Sequence, residues 1–107
     1  MRSSVCLLIA LLTTTTSASA QSGLDPAAQR GFTIARTNCA RCHSIDKVTA
    51  SPLAIAPPFR TLHKKYPVDN LQEALAEGLS TGHPTMPEFR FEPDQITDFI
   101  AFLKSLE

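Results

Sequence analysis

Cys39-Ala40-Arg41-Cys42-His43 is a C-x-x-C-H stretch, the pattern that carries covalently attached haem. Two thiols add across two vinyl groups as thioethers, and two intervening residues let both sulfurs reach them from the end of one helix. The adjacent imidazole then falls where it can bind the iron. With three Cys and three His in 107 residues, chance yields the pattern in about 0.2% of chains. Three other chemistries use paired cysteines: a redox-active C-x-x-C, a structural disulfide and half of a zinc site. A thioredoxin-like module wants a βαβ setting, which this chain lacks. Zinc needs a second pair of soft ligands, and the one other cysteine, Cys6, lies near the N-terminus in an apolar run. One covalent haem c is therefore the expected cofactor, bound through Cys39 and Cys42, with His43 as an axial ligand of its iron.

The segment before the motif divides in two. Arg2 gives a positive start, residues 5–12 are apolar, residues 13–19 are small and polar, and Ala18-Ser19-Ala20 fits the small-x-small rule for leader cleavage. Residues 1–20 read as a signal peptide and 21–107 as one monohaem domain. The apolar run is far shorter than the roughly 20 residues of a membrane-spanning helix. Retention as an N-terminal anchor is the alternative. After Ala20 there remain 9 basic and 10 acidic side chains. That balance offers nucleic acid no basic face, and no run of like charge exists. A domain this small sits near the lower limit of a self-sufficient core, so a buried cofactor would help to hold it.

The rest of the pattern is helical. Asp25-Pro26 is a helix start, with Asp as cap and Pro in the first turn, and predicts a helix over 26–38 with Phe32, Ile34 and Ala35 turned inward. Gly31 in its middle costs about 1 kcal/mol relative to Ala, which implies close approach by another backbone. Residues 44–59, with Pro52, Pro57 and Pro58, read as an ordered loop. A short helix is expected over 61–66. Asp69 or Asn70 would cap the next, where Leu71, Leu75 and Leu79 recur, with Gly78 and Gly82 ending it. A second loop spans 81–93. The last helix opens at Pro93-Asp94, with Ile96, Phe99, Ile100, Phe102, Leu103 and Leu106 inward and Asp98 and Lys104 on the wet side. No segment alternates as a strand does.

The iron's second axial position separates carriers from enzymes. Beyond Met1 the chain has one methionine, Met86, in Gly82-His83-Pro84-Thr85-Met86-Pro87. Prolines on both sides hold that loop extended, and Met86 stands outside every helical stripe, which argues against its being core filler. His63, beside Lys64 and Lys65, is expected in solvent. His83 is the nearer competitor, although as ligand it would leave Met86 without a task. A thioether prefers ferrous iron, so His43/Met86 ligation raises the potential and closes the iron to small molecules.

With these residues in place the chain resembles the class I, mitochondrial-type cytochrome c family, especially its small bacterial monohaem members. The resemblance covers nearly all of 21–107 and implies an all-α cytochrome c fold: about four short helices and long loops wrapped around one covalent haem. It implies that Gly31, eight residues before Cys39, packs against Phe102 of the last helix. The family's aromatic four residues before the first Cys is Ala35 here, so Phe32 would fill that space. The resemblance also implies a proline carbonyl as acceptor for the haem histidine; Pro57 and Pro58 both stand in place, with Pro57 the better match. The chain has no Trp, so Arg60, Tyr66 or Asn70 would share the propionates, and an ordinary surface charge is the alternative for Arg60.

The function these readings imply is that of an exported, periplasmic one-electron carrier: a monomer, not an enzyme, shuttling electrons between an oxidase, reductase or dehydrogenase. The alternatives are a cytochrome subunit of a larger periplasmic oxidoreductase, and a haem enzyme or gas sensor with a labile sixth ligand.

Overall fold

The computed structural model describes residues 23–79 and 85–107. The architecture is all-α: three α-helices and two 3-10 turns, with no strand among the described residues. The expected leader over 1–20 lies outside them, as do Gly82 and His83.

Helix α1 (Pro26–Asn38) begins where its capping chemistry dictates. Asp25 Oδ1 accepts the Ala28 N–H at 2.9 Å, and Pro26 fills the first turn without an N–H to lose. The buried residues of α1 are small ones, Ala28, Gly31 and Ala35, while Phe32 and Ile34 are only partly covered. A stripe of small side chains lets another helix come close. That helix is the last one, Pro93–Ser105. Its Glu92 forms a capping box with Gln95, whose side chain accepts the Glu92 N–H at 3.0 Å. Ile96, Phe99, Ile100, Phe102, Leu103 and Leu106 are all buried, as their spacing predicts.

The two terminal helices form the main interhelical contact. A Cβ added to Gly31 would collide with the Asp98 carbonyl and come within 2.7 Å of Phe102 Cβ. Phe32 meets Phe102 edge to face, ring centroids 5.6 Å apart. Asp98 departs from the expected wet side. It is buried, and Arg30 of α1 grips it with both ends of its guanidinium, at 2.7 and 2.8 Å. The close approach at Gly31 brings Arg30 onto that face, and a bidentate partner is what makes a carboxylate tolerable there. Lys104 stays exposed and pairs with Asp69 at 2.9 Å.

The middle of the chain differs in detail from the expected helix over 61–66. A 3-10 turn starts earlier, Phe59–Lys64, because the Pro58 carbonyl takes both the Thr61 N–H at 2.9 Å and the Thr61 hydroxyl at 2.7 Å. A second turn, Val68–Asn70, then feeds helix α2 (Leu71–Glu77) directly. Asn70 occupies the cap position but makes no side-chain cap bond, so the preceding turn nucleates α2 instead. Leu75 is buried and Leu71 and Leu79 pack against the same core. Gly78 ends α2 at φ +108°, a conformation that L side chains rarely adopt. The last helix, Pro93–Ser105, is α3.

Candidate functional site

The cysteine motif is built on the end of α1. The N–H groups of Cys39 and Ala40 both reach the Ala35 carbonyl, at 2.8 and 3.0 Å, and those of Cys42 and His43 return to the Cys39 carbonyl at 3.1 and 2.9 Å. Residues 39–43 therefore form a compact turn. Both thiols are free and half-buried. Cys39 packs against the core, and burial pushes its thiol up to about 11.

The structure brings His43 and Pro57 together. His43 Nδ1 lies 2.8 Å from the Pro57 carbonyl oxygen. A carbonyl can only accept, so the proton sits on Nδ1 and the Nε2 lone pair is left free for a metal. Second-partner bonds of this kind fix the tautomer and raise ligand basicity.

The loop between His43 and Pro57 is tied down by side chains that carry no obvious motif. Ser44 N–H donates to Ser51 Oγ at 3.0 Å, and Leu53 N–H to the Cys42 carbonyl at 3.1 Å. Asp46 Oδ1 accepts the N–H groups of Val48 and Thr49 at 2.7 and 2.6 Å, and its other oxygen takes the Thr49 hydroxyl. Those bonds, the hydroxyl's foremost, hold the Asp46 carboxyl down to about 2. Arg60 Nη1 reaches in to Ser44 Oγ at 3.2 Å, the Asp46 carbonyl at 3.3 Å and the Thr49 carbonyl at 2.7 Å. Its donors at this nitrogen are thus committed to the loop. Sequence reasoning missed Ser44, Asp46 and Thr49; the readable signal was an Asp two residues before the N–H it accepts, as in an Asx-turn.

Met86 is half-buried in a turn at 85–86. The segment after it is fixed to α2: Phe91 N–H donates to the Leu75 carbonyl at 2.9 Å, Leu79 N–H to the Phe89 carbonyl at 3.2 Å, and Arg90 Nη2 to the Glu77 carbonyl at 2.9 Å. His63 is not the fully solvated residue its lysine neighbours suggest. It is half-buried, and its Nδ1 is covered and without a hydrogen-bond partner. It lines an open groove with Lys64, Lys65, Tyr66 and Lys104, to which neither the cysteine motif nor Met86 contributes.

Two free thiols three positions apart, an imidazole offering Nε2, and the apolar side chains of Leu53 and Ile55 left exposed on a loop bonded to Cys42 make a donor set that fits haem. The cytochrome c family matches residues 28–107, from the first turn of α1 to the C-terminus. The chain belongs to the cytochrome c family. It is similar to cytochrome c-552 of Bradyrhizobium diazoefficiens, 30% identical over 102 residues that span 95% of this chain and 91% of that protein. No solved structure matches it.

Membership makes the protein a haem-binding electron carrier with covalently bound haem c, and the Cys39–Cys42 pair fits the family's attachment motif. Bound haem supplies a one-electron ferric/ferrous couple. As in the family, the proteins it works with are redox proteins. Among the described residues no helix is long and apolar enough to cross a membrane.

Proposed function

We propose that this cytochrome is an exported one-electron shuttle. Cys39 and Cys42 attach the haem, and His43 and Met86 are the two axial ligands of its iron. The observation that carries the reading is the 2.8 Å contact between His43 Nδ1 and the Pro57 carbonyl, which orients the imidazole with Nε2 available. Met86 supports it as the only methionine beyond Met1, on a half-buried turn whose following segment is bonded to α2. A thioether opposite an imidazole favours ferrous iron and raises the potential, and a position filled by protein excludes exogenous ligands. That combination suits electron transfer rather than catalysis.

Residues 1–20 serve as the export signal, with cleavage after Ala20, and place the carrier in the periplasm. Its nearly balanced charge predicts modest long-range steering, so partner choice rests on local patches.

The test is expression of the full precursor with c-type maturation machinery. Haem that resists acid–acetone extraction, and a mature mass beginning at Gln21, are expected. The weak red ferric band of sulfur ligation should be present in the wild type and lost in Met86→Ala, which should also bind CO rapidly. An unchanged band in Met86→Ala would refute the axial assignment.

A further inference from the structure

The ring of Phe59 stands beside the imidazole of His43, with centroids 4.8 Å apart and planes inclined by 37°. Phe59 lies two residues after Pro57, whose carbonyl takes the His43 Nδ1 proton. The short segment 57–59 therefore meets the imidazole twice, once at its edge and once with an aromatic ring. The two contacts restrict different motions. A hydrogen bond in the ring plane fixes where Nδ1 points, but it leaves the ring free to pivot about the N–H···O line. A flat side chain alongside the imidazole removes that pivot.

Phe59 is itself held firmly enough to act as a reference. Its N–H donates to the Ser44 carbonyl at 3.0 Å, next to His43 in sequence. The residue is 7% exposed, and its ring meets Phe99 of α3 edge to face at 5.9 Å, the planes at 87°. Phe99 is in turn packed against Phe91, at 5.9 Å. The orientation of the imidazole is thereby tied to α3, the best-packed helix of the domain.

We infer that Phe59 is a positioning residue for the haem ligand, fixing the plane of the His43 imidazole while Pro57 fixes its tautomer. The inference rests on the reading of His43 as an iron ligand. Imidazole-plane orientation contributes, together with the other axial ligand, to the in-plane magnetic anisotropy of low-spin ferric iron, so it has a signature that core packing alone lacks.

The experiment uses the holoprotein and NMR. In the reduced, diamagnetic wild type, His43 ring protons should lie far upfield under the haem ring current and show cross-relaxation to Phe59 ring protons. If they are not upfield, the ligand reading fails. If they are upfield but show no contact with Phe59, this inference alone fails. In the oxidised protein, Phe59→Leu should change the order or spread of the haem-methyl hyperfine shifts, and Phe59→Tyr should retain the wild-type pattern. Phe102→Leu removes a ring from the same core, one that meets Phe32 rather than Phe59, and should leave the pattern in place. No change in Phe59→Leu, or an equal change in Phe102→Leu, overturns the proposal. Should Phe59→Leu not accumulate, the wild-type contact and the Phe59→Tyr pattern decide it.

Discussion

Gly31 of α1 and Phe102 of α3 touch so closely that no side chain fits between them: a Cβ on Gly31 would stand 2.7 Å from Phe102 Cβ and strike the Asp98 carbonyl. Backbone atoms cannot swing aside as the end of a long side chain can. Gly31→Ala should therefore force the helices apart and cost about 3 kcal/mol, the upper end of overpacking effects. Helix propensity alone would predict a gain of about 1 kcal/mol from the same change. Denaturant unfolding of the holoprotein decides between them by sign.

Arg30 and Asp98 add a pH dependence to the same contact. The guanidinium hydrogen bonds hold the Asp98 carboxyl below the usual carboxylate range, and they raise Arg30 in return. A depressed carboxylate contributes its stability above the unfolded value of about 3.9, and that contribution is lost as pH falls through the folded value. Stability measured stepwise from pH 7 to pH 3 should decline in the wild type over the acid end of that range. Asp98→Asn should be less stable at pH 7 and show a flatter acid limb. Parallel curves for the two proteins would sink this account.

Gly78 ends α2 at φ +108° with the Glu88 side chain against it. Glu88 can move and the backbone cannot, so the conformation dominates. Gly78→Ala should cost about 2 kcal/mol. The segment that follows Met86 is bonded to this end of α2, so the weak red ferric band should lose intensity at a lower temperature in the variant than in the wild type. Coincident temperatures would show that the turn at Gly78 does not support the Met86 segment.

Arg60 joins three points of the loop that follows His43. Arg60→Ala leaves the Thr49 and Asp46 carbonyls without this charged donor and should cost about 2 kcal/mol. Amide exchange should accelerate over residues 44–51 and hardly at all in α1 and α3. Uniform acceleration across the domain would contradict a local role.

The haem attachment residues were legible because thioether chemistry demands two thiols and an imidazole within five consecutive positions. No tertiary information is needed to read Cys39, Cys42 and His43. The helix starts at Asp25-Pro26 and Pro93 and the apolar stripe of α3 were readable for a related reason: helix starts and amphipathic faces are set by residues within a few turns of one another. Met86, proposed as the second axial ligand, could be singled out by elimination, since it is the only methionine beyond Met1.

Relations between distant segments were not visible locally. Asp98 reads as a solvent-facing charge on its own helix, and only the approach of α1 at Gly31 buries it against Arg30, 68 positions away. Arg60 reads as a surface charge or an anion ligand until folding carries it against the Ser44–Thr49 loop. Phe59 reads as the end of a loop, and its place beside His43 follows from how the chain turns back on the motif at Pro57. The amino-acid order alone thus identifies the covalent cofactor and the helical class, since both depend on neighbouring residues. Which groups steady the imidazole, organise its loop and bury a charge depends on helices and loops meeting in space. That meeting is governed by the small residues of α1, Gly31 above all, and by backbone bonds that no local pattern announces.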